Sequence, residues 1–284
     1  MRTVKFAAIQ MSMKASDKEA NIAKAERMIK RAAEKFNPDF IGLPELFFTE
    51  FFPVSRKNKY FGYAEPVPGP TINRIADLAS KYGKYIIAPI FELEIRGGEA
   101  SYYNTSVVIG PGGKIVGKSR KTEIPLVEWK QDNAVWNRNY EKFYFLPGQG
   151  NPVIDLGTFR LGQLICYARH FPEEWRALEL SGAQVIYSPV ATNGPVLGDL
   201  FSVEMRALAF MNQCFAVVVN RVGKEGRYNY FGGTHIVDPF GKLLAGPAGP
   251  KEEIVSAVLD LKQVKIAREK VPFIRDRRPD LYKL

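Results

Sequence analysis

Cysteine and histidine are scarce in this chain, with two of each among 284 residues. Two cysteines supply no disulfide framework. Neither His170 nor His235 belongs to an H-E-x-x-H pattern, and no paired C-x-x-C occurs, so the common zinc signatures are missing. No apolar run approaches the roughly 18 residues of a membrane-spanning helix. No Gly/Ser tract, block of like charge or low-complexity run marks a seam, so a single domain over residues 1–284 is expected. The segment Thr3-Val4-Lys5-Phe6-Ala7-Ala8-Ile9-Gln10 reads as a strand and lacks the apolar core and cleavage site of a signal peptide, so a cytoplasmic address is expected.

What is present is ordinary in bulk: 46% hydrophobic and 25% charged residues, enough to build a substantial core. The formal charge of +10 raises the question of nucleic acid. Its basic residues are spread among acids along the whole chain, so solubility or a preference for anionic substrates explains the charge as well, and neither nucleic acid nor membrane is expected as a partner. Gly112-Gly113-Lys114-Ile115-Val116-Gly117-Lys118-Ser119 matches the phosphate-loop pattern letter for letter. β-formers fill it and no helical pattern follows, so it reads as a strand.

Taken in order, Ser16-Asp17-Lys18-Glu19 has the form of a capping box, and Ile22, Met28, Ile29, Ala32, Ala33 and Phe36 fall on one helical face. After Pro38 comes a short apolar strand, Asp39-Phe40-Ile41-Gly42-Leu43, closed by Pro44-Glu45. A carboxylate in such surroundings is costly to desolvate, which marks Glu45 for catalysis or for a structural ion pair. A second helix begins at Pro70 and stops before Gly83. Two hairpins share a strand, turn and lysine pattern, one turning at Pro111-Gly112-Gly113 and one at Pro239-Phe240-Gly241. Two such hairpins suggest a pair of packed sheets covered by helices.

Four positions carry candidate chemistry. Leu161-Gly162-Gln163-Leu164-Ile165 runs into Cys166, and Pro172-Glu173-Glu174 then opens a helix, which puts Cys166 at a strand end, the rim where open α/β sheets bind ligands. Lys121 ends the second strand of the first hairpin. By itself it reads as part of a solvated face with Lys118 and Arg120. Glu141 lies beside an aromatic cluster, where a surface loop is the simplest reading. Cys214 and His235 read as core.

Together these places resemble the nitrilase, or carbon–nitrogen hydrolase, superfamily. The resemblance runs from Phe6-Ala7-Ala8-Ile9-Gln10 through Leu43-Pro44-Glu45, Arg120-Lys121-Thr122 and Ile165-Cys166-Tyr167 to Phe231-Gly232-Gly233-Thr234 and the tail Arg275-Asp276-Arg277-Arg278-Pro279. It implies an α/β fold, the four-layer α-β-β-α sandwich of the nitrilase type. It places the general base on Glu45, the oxyanion-stabilising lysine on Lys121, an assisting glutamate on Glu141 and the nucleophile on Cys166. A thiol at neutral pH needs a nearby base or positive field, and those residue types supply both. No metal or organic cofactor is required by this chemistry.

Cys166-Tyr167-Ala168-Arg169-His170 and the segment from Ser188 to Gly194, with Asn193 inside it, look most like the N-carbamoyl amidohydrolase branch, β-ureidopropionase in particular. Tyr167, Arg169 and Asn193 are the expected substrate contacts. Arg169 is the candidate for a substrate carboxylate, which a guanidinium matches bidentately, the alternative being a structural pair with Glu173 or Glu174. Departures from the branch are Ala168 in place of Asp, Glu123 in place of His, and a long loop at residues 126–138. The implied reaction converts an N-carbamoyl amine or amino acid to amine, carbon dioxide and ammonia. A simple amide or a nitrile as substrate, and a non-catalytic binding protein on the same scaffold, are the alternatives. Tails like residues 262–284 in relatives cross a subunit interface, so a homodimer or larger homo-oligomer is expected.

Overall fold

The computed structural model describes residues 3–131 and 134–282. Two six-stranded sheets form its centre. The first has the order β16-β1-β2-β3-β4-β5, with β1 Thr3–Gln10, β2 Phe40–Gly42, β3 Tyr85–Arg96, β4 Glu99–Ile109, β5 Ile115–Arg120 and β16 Glu253–Asp260. The second has the order β15-β14-β11-β10-β9-β8, with β8 Ile154–Asp155, β9 Arg160–Gln163, β10 Val185–Val190, β11 Phe215–Asn220, β14 His235–Val237 and β15 Leu243–Ala245. In each sheet three central strands run parallel, β1, β2 and β3 in one and β9, β10 and β11 in the other. Each of the two hairpins expected from sequence, β4–β5 and β14–β15, forms one margin of a sheet. The phosphate-loop look-alike is the turn and strand of β5, with no helix after it.

Side chains alternate across a strand, and here the alternation sorts the core into layers. Val4, Phe6 and Ala8 of β1 pack against Phe215, Val217 and Val219 of β11, between the sheets. Ala7 and Ile9 face the other way, onto Ile22, Ile29 and Ala32 of helix α1 (Lys18–Phe36) and Ile72 and Ile75 of α2 (Pro70–Tyr82). Ala216 and Val218 likewise face Trp175 and Leu178 of α4 (Pro172–Leu180) and Phe201 and Met205 of α5 (Pro195–Asn212). A one-turn helix, α3, spans Glu141–Tyr144. The layers are thus helix, sheet, sheet, helix, as expected. No helix among the described residues is long and apolar enough to cross a membrane.

Gly42 shows how closely the sheets approach. A Cβ there would stand 2.4 Å from Tyr187 Cε2, and the Tyr187 hydroxyl donates to the Leu43 carbonyl at 2.5 Å. A larger residue would push apart the strand that delivers Glu45.

Some local expectations are corrected. The N-cap of α1 is Asp17, which accepts from Ala20 N at 3.0 Å, while Ser16 adopts a left-handed φ of 55°. Glu19 pairs with Arg74 of α2 at 2.7 Å instead of closing a capping box, because an arginine on the neighbouring helix offers it a charged partner. The expected loop at residues 126–138 is in large part a two-stranded hairpin, β6 (Leu126–Gln131) and β7 (Ala134–Tyr140), closing with Leu126 opposite Tyr140. Its two centre positions, 132 and 133, lie outside the described residues. A second small hairpin joins β12 (Val222–Glu225) to β13 (Tyr228–Phe231). The tail begins with α6 (Lys262–Lys270), which packs Val264 against the inter-sheet layer, buries Ala267, and accepts from Gln213 Nε2 at the Ala267 carbonyl, 2.8 Å. Beyond it Leu281 and Tyr282 are exposed.

Candidate active site

Glu45, Cys166 and Arg221 follow the carboxyl ends of β2, β9 and β11, so both sheets present their parallel strand ends to one place. Lys121 follows β5, where its N–H donates to the Asn104 carbonyl at 2.8 Å and its own carbonyl accepts from Gly148 N at 2.7 Å. Glu141 opens α3 and is anchored by Asn139, whose Oδ1 accepts from the Glu141 N–H at 3.0 Å. Residues more than a hundred positions apart are thereby brought into hydrogen-bonding contact.

Lys121 Nζ donates to both Glu141 oxygens, at 2.8 and 2.6 Å, and to Glu45 Oε1 at 3.1 Å. All three side chains are fully buried. Asn104 Nδ2 donates to Glu45 Oε1 at 2.7 Å and Asn139 Nδ2 to Glu141 Oε1 at 2.9 Å. Burial pulls the Lys121 ammonium toward its neutral form, but the Glu141 and Glu45 carboxylates more than reverse this and hold it charged. Burial raises the Glu141 carboxyl, and Lys121 only partly counters that. Glu45 Oε2 is buried and has no hydrogen-bond partner among the described residues. That open oxygen is a position at which Glu45 can take a proton.

Cys166 opens a short 3-10 helix, Cys166–His170, with a left-handed φ of 49°, an uncommon conformation for a residue bearing a Cβ. Its carbonyl accepts from Arg169 Nη1 at 2.9 Å, which ties down the turn. Burial pushes its thiol up to about 12 and the Glu45 charge adds to this, against the pull of Lys121 and Arg169. Cys166 is therefore held as a neutral thiol, and attack by its sulfur would require that proton to be removed. A cavity of about 360 Å³ opens onto Cys166, with Phe51, Tyr167, Arg169 and Asn193 also in its wall.

The structure thus brings Glu45, Lys121 and Glu141 into direct contact, with the Cys166 thiol within reach of their charges, and it lines one cavity with Cys166, Tyr167, Arg169 and Asn193. Lys121 is no part of a solvated face, and Glu141 is no surface loop residue; it is Lys118 and Arg120 that turn outward, both pairing with Glu92. Arg169 pairs with neither Glu173 nor Glu174. Its Nε lies 3.5 Å from Glu204, which also meets His170 Nδ1 at 2.5 Å. Cys214 is fully buried in the layer under α4 and α5. His235 is buried with Nδ1 on the Gly233 carbonyl, and burial lowers it to about 4. Among the described residues no cluster of three or more His, Cys, Asp or Glu could hold a metal ion.

Sequence reasoning missed the supporting residues. Arg221, fully buried, donates to the Glu45 carbonyl at 2.6 Å and to Glu225 at 2.6 Å. Asn220 bridges the Thr192 backbone to the Gly232 carbonyl and so fixes the strand end that carries Asn193. The available signal was the polar pair Asn220-Arg221 interrupting an apolar strand.

The chain belongs to the carbon–nitrogen hydrolase family, whose model matches residues 5–269. It is an enzyme of that class. It is 33% identical over 299 residues to N-carbamoylputrescine amidase of Solanum lycopersicum, with 100% of this chain and 95% of the relative covered. It is 29% identical over 283 residues to beta-ureidopropionase of Arabidopsis thaliana, covering 94% of this chain and 67% of that one. The crystal structure of a carbon–nitrogen hydrolase from Helicobacter pylori G27 superposes with a TM-score of 0.89 at 28% identity, over 99% of this chain and 97% of the other.

Proposed function

We propose that this enzyme hydrolyses N-carbamoyl amines or N-carbamoyl amino acids to amine, carbon dioxide and ammonia through a covalent intermediate on Cys166. One observation carries the reading: a buried ammonium clamped between two carboxylates, one with an unpartnered oxygen, beside a thiol that faces a closed-in cavity. Glu45 Oε2 takes the thiol proton as sulfur attacks the carbamoyl carbon. Lys121 Nζ and the Tyr167 N–H, at the start of a helix where no intrahelical partner exists, meet the oxyanion. Ammonia leaves with the proton held on Glu45. Water, deprotonated by Glu45, then cleaves the S–C bond and returns the thiol, and the freed carbamic acid loses carbon dioxide to leave the amine. Glu141 keeps Lys121 charged and fixed throughout.

Ammonia release across N-carbamoyl-β-alanine, N-carbamoylputrescine, a short aliphatic amide and a nitrile tests this, with Cys166→Ala as the blank. Turnover of an N-carbamoyl compound that vanishes in the blank is the expected result. Turnover confined to the amide or the nitrile would move the substrate class, and silence throughout with a thiol inert to alkylation would remove the activity. The same reading carries a homodimer or larger assembly. In its support, Leu180 of α4 and Leu200 and Val203 of α5 are more than half exposed; a monomer by sedimentation would refute it.

A further inference from the structure

We propose that Arg138, on the β6–β7 hairpin, selects substrates whose end remote from the scissile bond is a carboxylate. The inference rests on the N-carbamoyl reading for the name of its substrate, though not for the site itself. Among the described residues no aspartate or glutamate lines the cavity over Cys166, and the cationic and titratable side chains that do, beyond the thiol and Tyr167, are Arg138, Arg169 and His170. Glu45 and Glu141 lie outside that wall, both bound to Lys121.

Two of the three basic groups are already engaged. Arg169 is buried, donates to the Cys166 carbonyl at 2.9 Å and lies 3.5 Å from Glu204, and His170 meets the same Glu204 at 2.5 Å. Arg138 is ion-paired as well, with Glu128, but it differs from Arg169 in its exposure and in making, among the described residues, no contact with the Cys166 turn. Its Nε lies 3.7 Å from Glu128 Oε1, beyond hydrogen-bond distance, and has no hydrogen-bond partner among the described residues, while Glu128 also takes the Tyr140 hydroxyl. The Arg138 side chain is about two-fifths exposed at the cavity wall.

Attack fixes the carbamoyl carbon at Cys166, so the rest of the substrate extends into the space that Arg138 borders. A carboxylate there gains a charge-assisted, planar partner. An ammonium meets two arginines and, among the described lining residues, no acid. The role assigned from sequence to Arg169 thus passes to Arg138, and Arg169 becomes the residue that positions the Cys166 turn.

The test compares kcat/KM for N-carbamoyl-β-alanine, neutral butylurea and N-carbamoylputrescine in wild type, Arg138→Met, Arg138→Lys and Glu128→Gln. An independent arm measures alkylation of Cys166 by iodoacetate and by iodoacetamide, resolved from Cys214 by peptide mass spectrometry. The ratio of the two rates cancels the thiolate fraction and reports only how the cavity treats an anion. Arg138→Met is expected to lower both the preference for the β-alanine compound over butylurea and the iodoacetate ratio by about tenfold, as loss of one charged hydrogen bond does. Arg138→Lys is expected to restore part of each, and Arg56→Met, whose guanidinium stacks on Tyr140 at 4.5 Å outside the cavity lining, to leave both unchanged. Ratios unmoved by Arg138→Met overturn the proposal, as does a preference for N-carbamoylputrescine that Glu128→Gln abolishes. Inert N-carbamoyl compounds with an iodoacetate ratio that still depends on Arg138 would refute the reaction and leave the anion site standing.

Discussion

Replacing Lys121 by Met keeps most of the side-chain volume and removes one charge from a site that holds two carboxylates. Glu45 retains Asn104 and Glu141 retains Asn139, one amide donor each, and neither carboxylate reaches water. Breaking a buried pair this way costs about 3–5 kcal/mol when the orphaned charge stays ionised. The alternative is to bind a proton. Taking one from water onto a carboxyl with an ordinary value of ~4.3 costs about 1.36 kcal/mol per pH unit, hence about 5 kcal/mol at pH 8 and about 1 kcal/mol at pH 5. Between those values the folded variant binds a proton that its unfolded chain lacks, so its stability falls as pH rises, by about 1.4 kcal/mol per unit. Urea unfolding of wild type and variant at pH 5, 6, 7 and 8 measures this directly. The expected deficit grows from about 1 kcal/mol at pH 5 to about 3–5 kcal/mol at pH 8, and the added substitution Glu141→Gln recovers part of it at pH 8. A deficit of the same size at every pH would mean that Lys121 acts through packing alone, and the electrostatic account of the site would fail.

Arg221→Met frees the Glu45 carbonyl and strands Glu225. It is expected to lower kcat at least about tenfold with little change in KM, because the arginine positions Glu45 and lines no part of the cavity wall, and to destabilise by about 3 kcal/mol through the orphaned carboxylate. Gly42→Ala drives a Cβ into the Tyr187 ring and is expected to cost about 1–3 kcal/mol in denaturant unfolding; no loss would mean that the sheets have room to separate. Glu123 is raised to about 7 by burial and by Glu174 beside it, against an opposing hydrogen bond from Thr122. The folded chain therefore keeps a proton that the unfolded chain has released, and stability falls as pH rises from about 4.5 to about 7. Because the carboxyl is partly solvated, Glu123→Gln is expected to gain only about 1 kcal/mol at pH 8 and nothing at pH 4, read from melting temperatures at the two pH values.

How much of this was legible in the sequence depends on the range of the interaction that fixes each feature. Continuous apolar runs such as Phe215-Ala216-Val217-Val218-Val219 announce strands buried on both faces, because every side chain must be apolar whichever way it points. The paired hairpins were readable for a similar reason, since turn chemistry is local. Residues 126–138 were misread because their strand pairing is with each other and only weakly patterned: polar and apolar positions do not alternate cleanly against any core. The capping of α1 was missed because Arg74, fifty-five positions away, competes for Glu19.

The site follows the same logic more severely. Nothing within ten residues of Lys121 says that it is buried; Lys118 and Arg120 on the same strand are only partly buried and both reach Glu92. Its burial is tolerable only because Glu45, seventy-six positions before it, and Glu141, twenty after it, arrive at the same point. Local propensity is blind to such a pairing, and only the ordered set of motifs, taken as a resemblance, pointed to it. The supporting arginine shows where even that resemblance stops. The Arg221 guanidinium spans from the Glu45 carbonyl to Glu225 and so joins the strand ends of the two sheets. A buried cation with no role in proton transfer is costly to keep. Here it holds a turn that has no ladder of its own, with Leu46 at a left-handed φ of 49°, and so fixes Glu45 toward Cys166 on the opposite sheet.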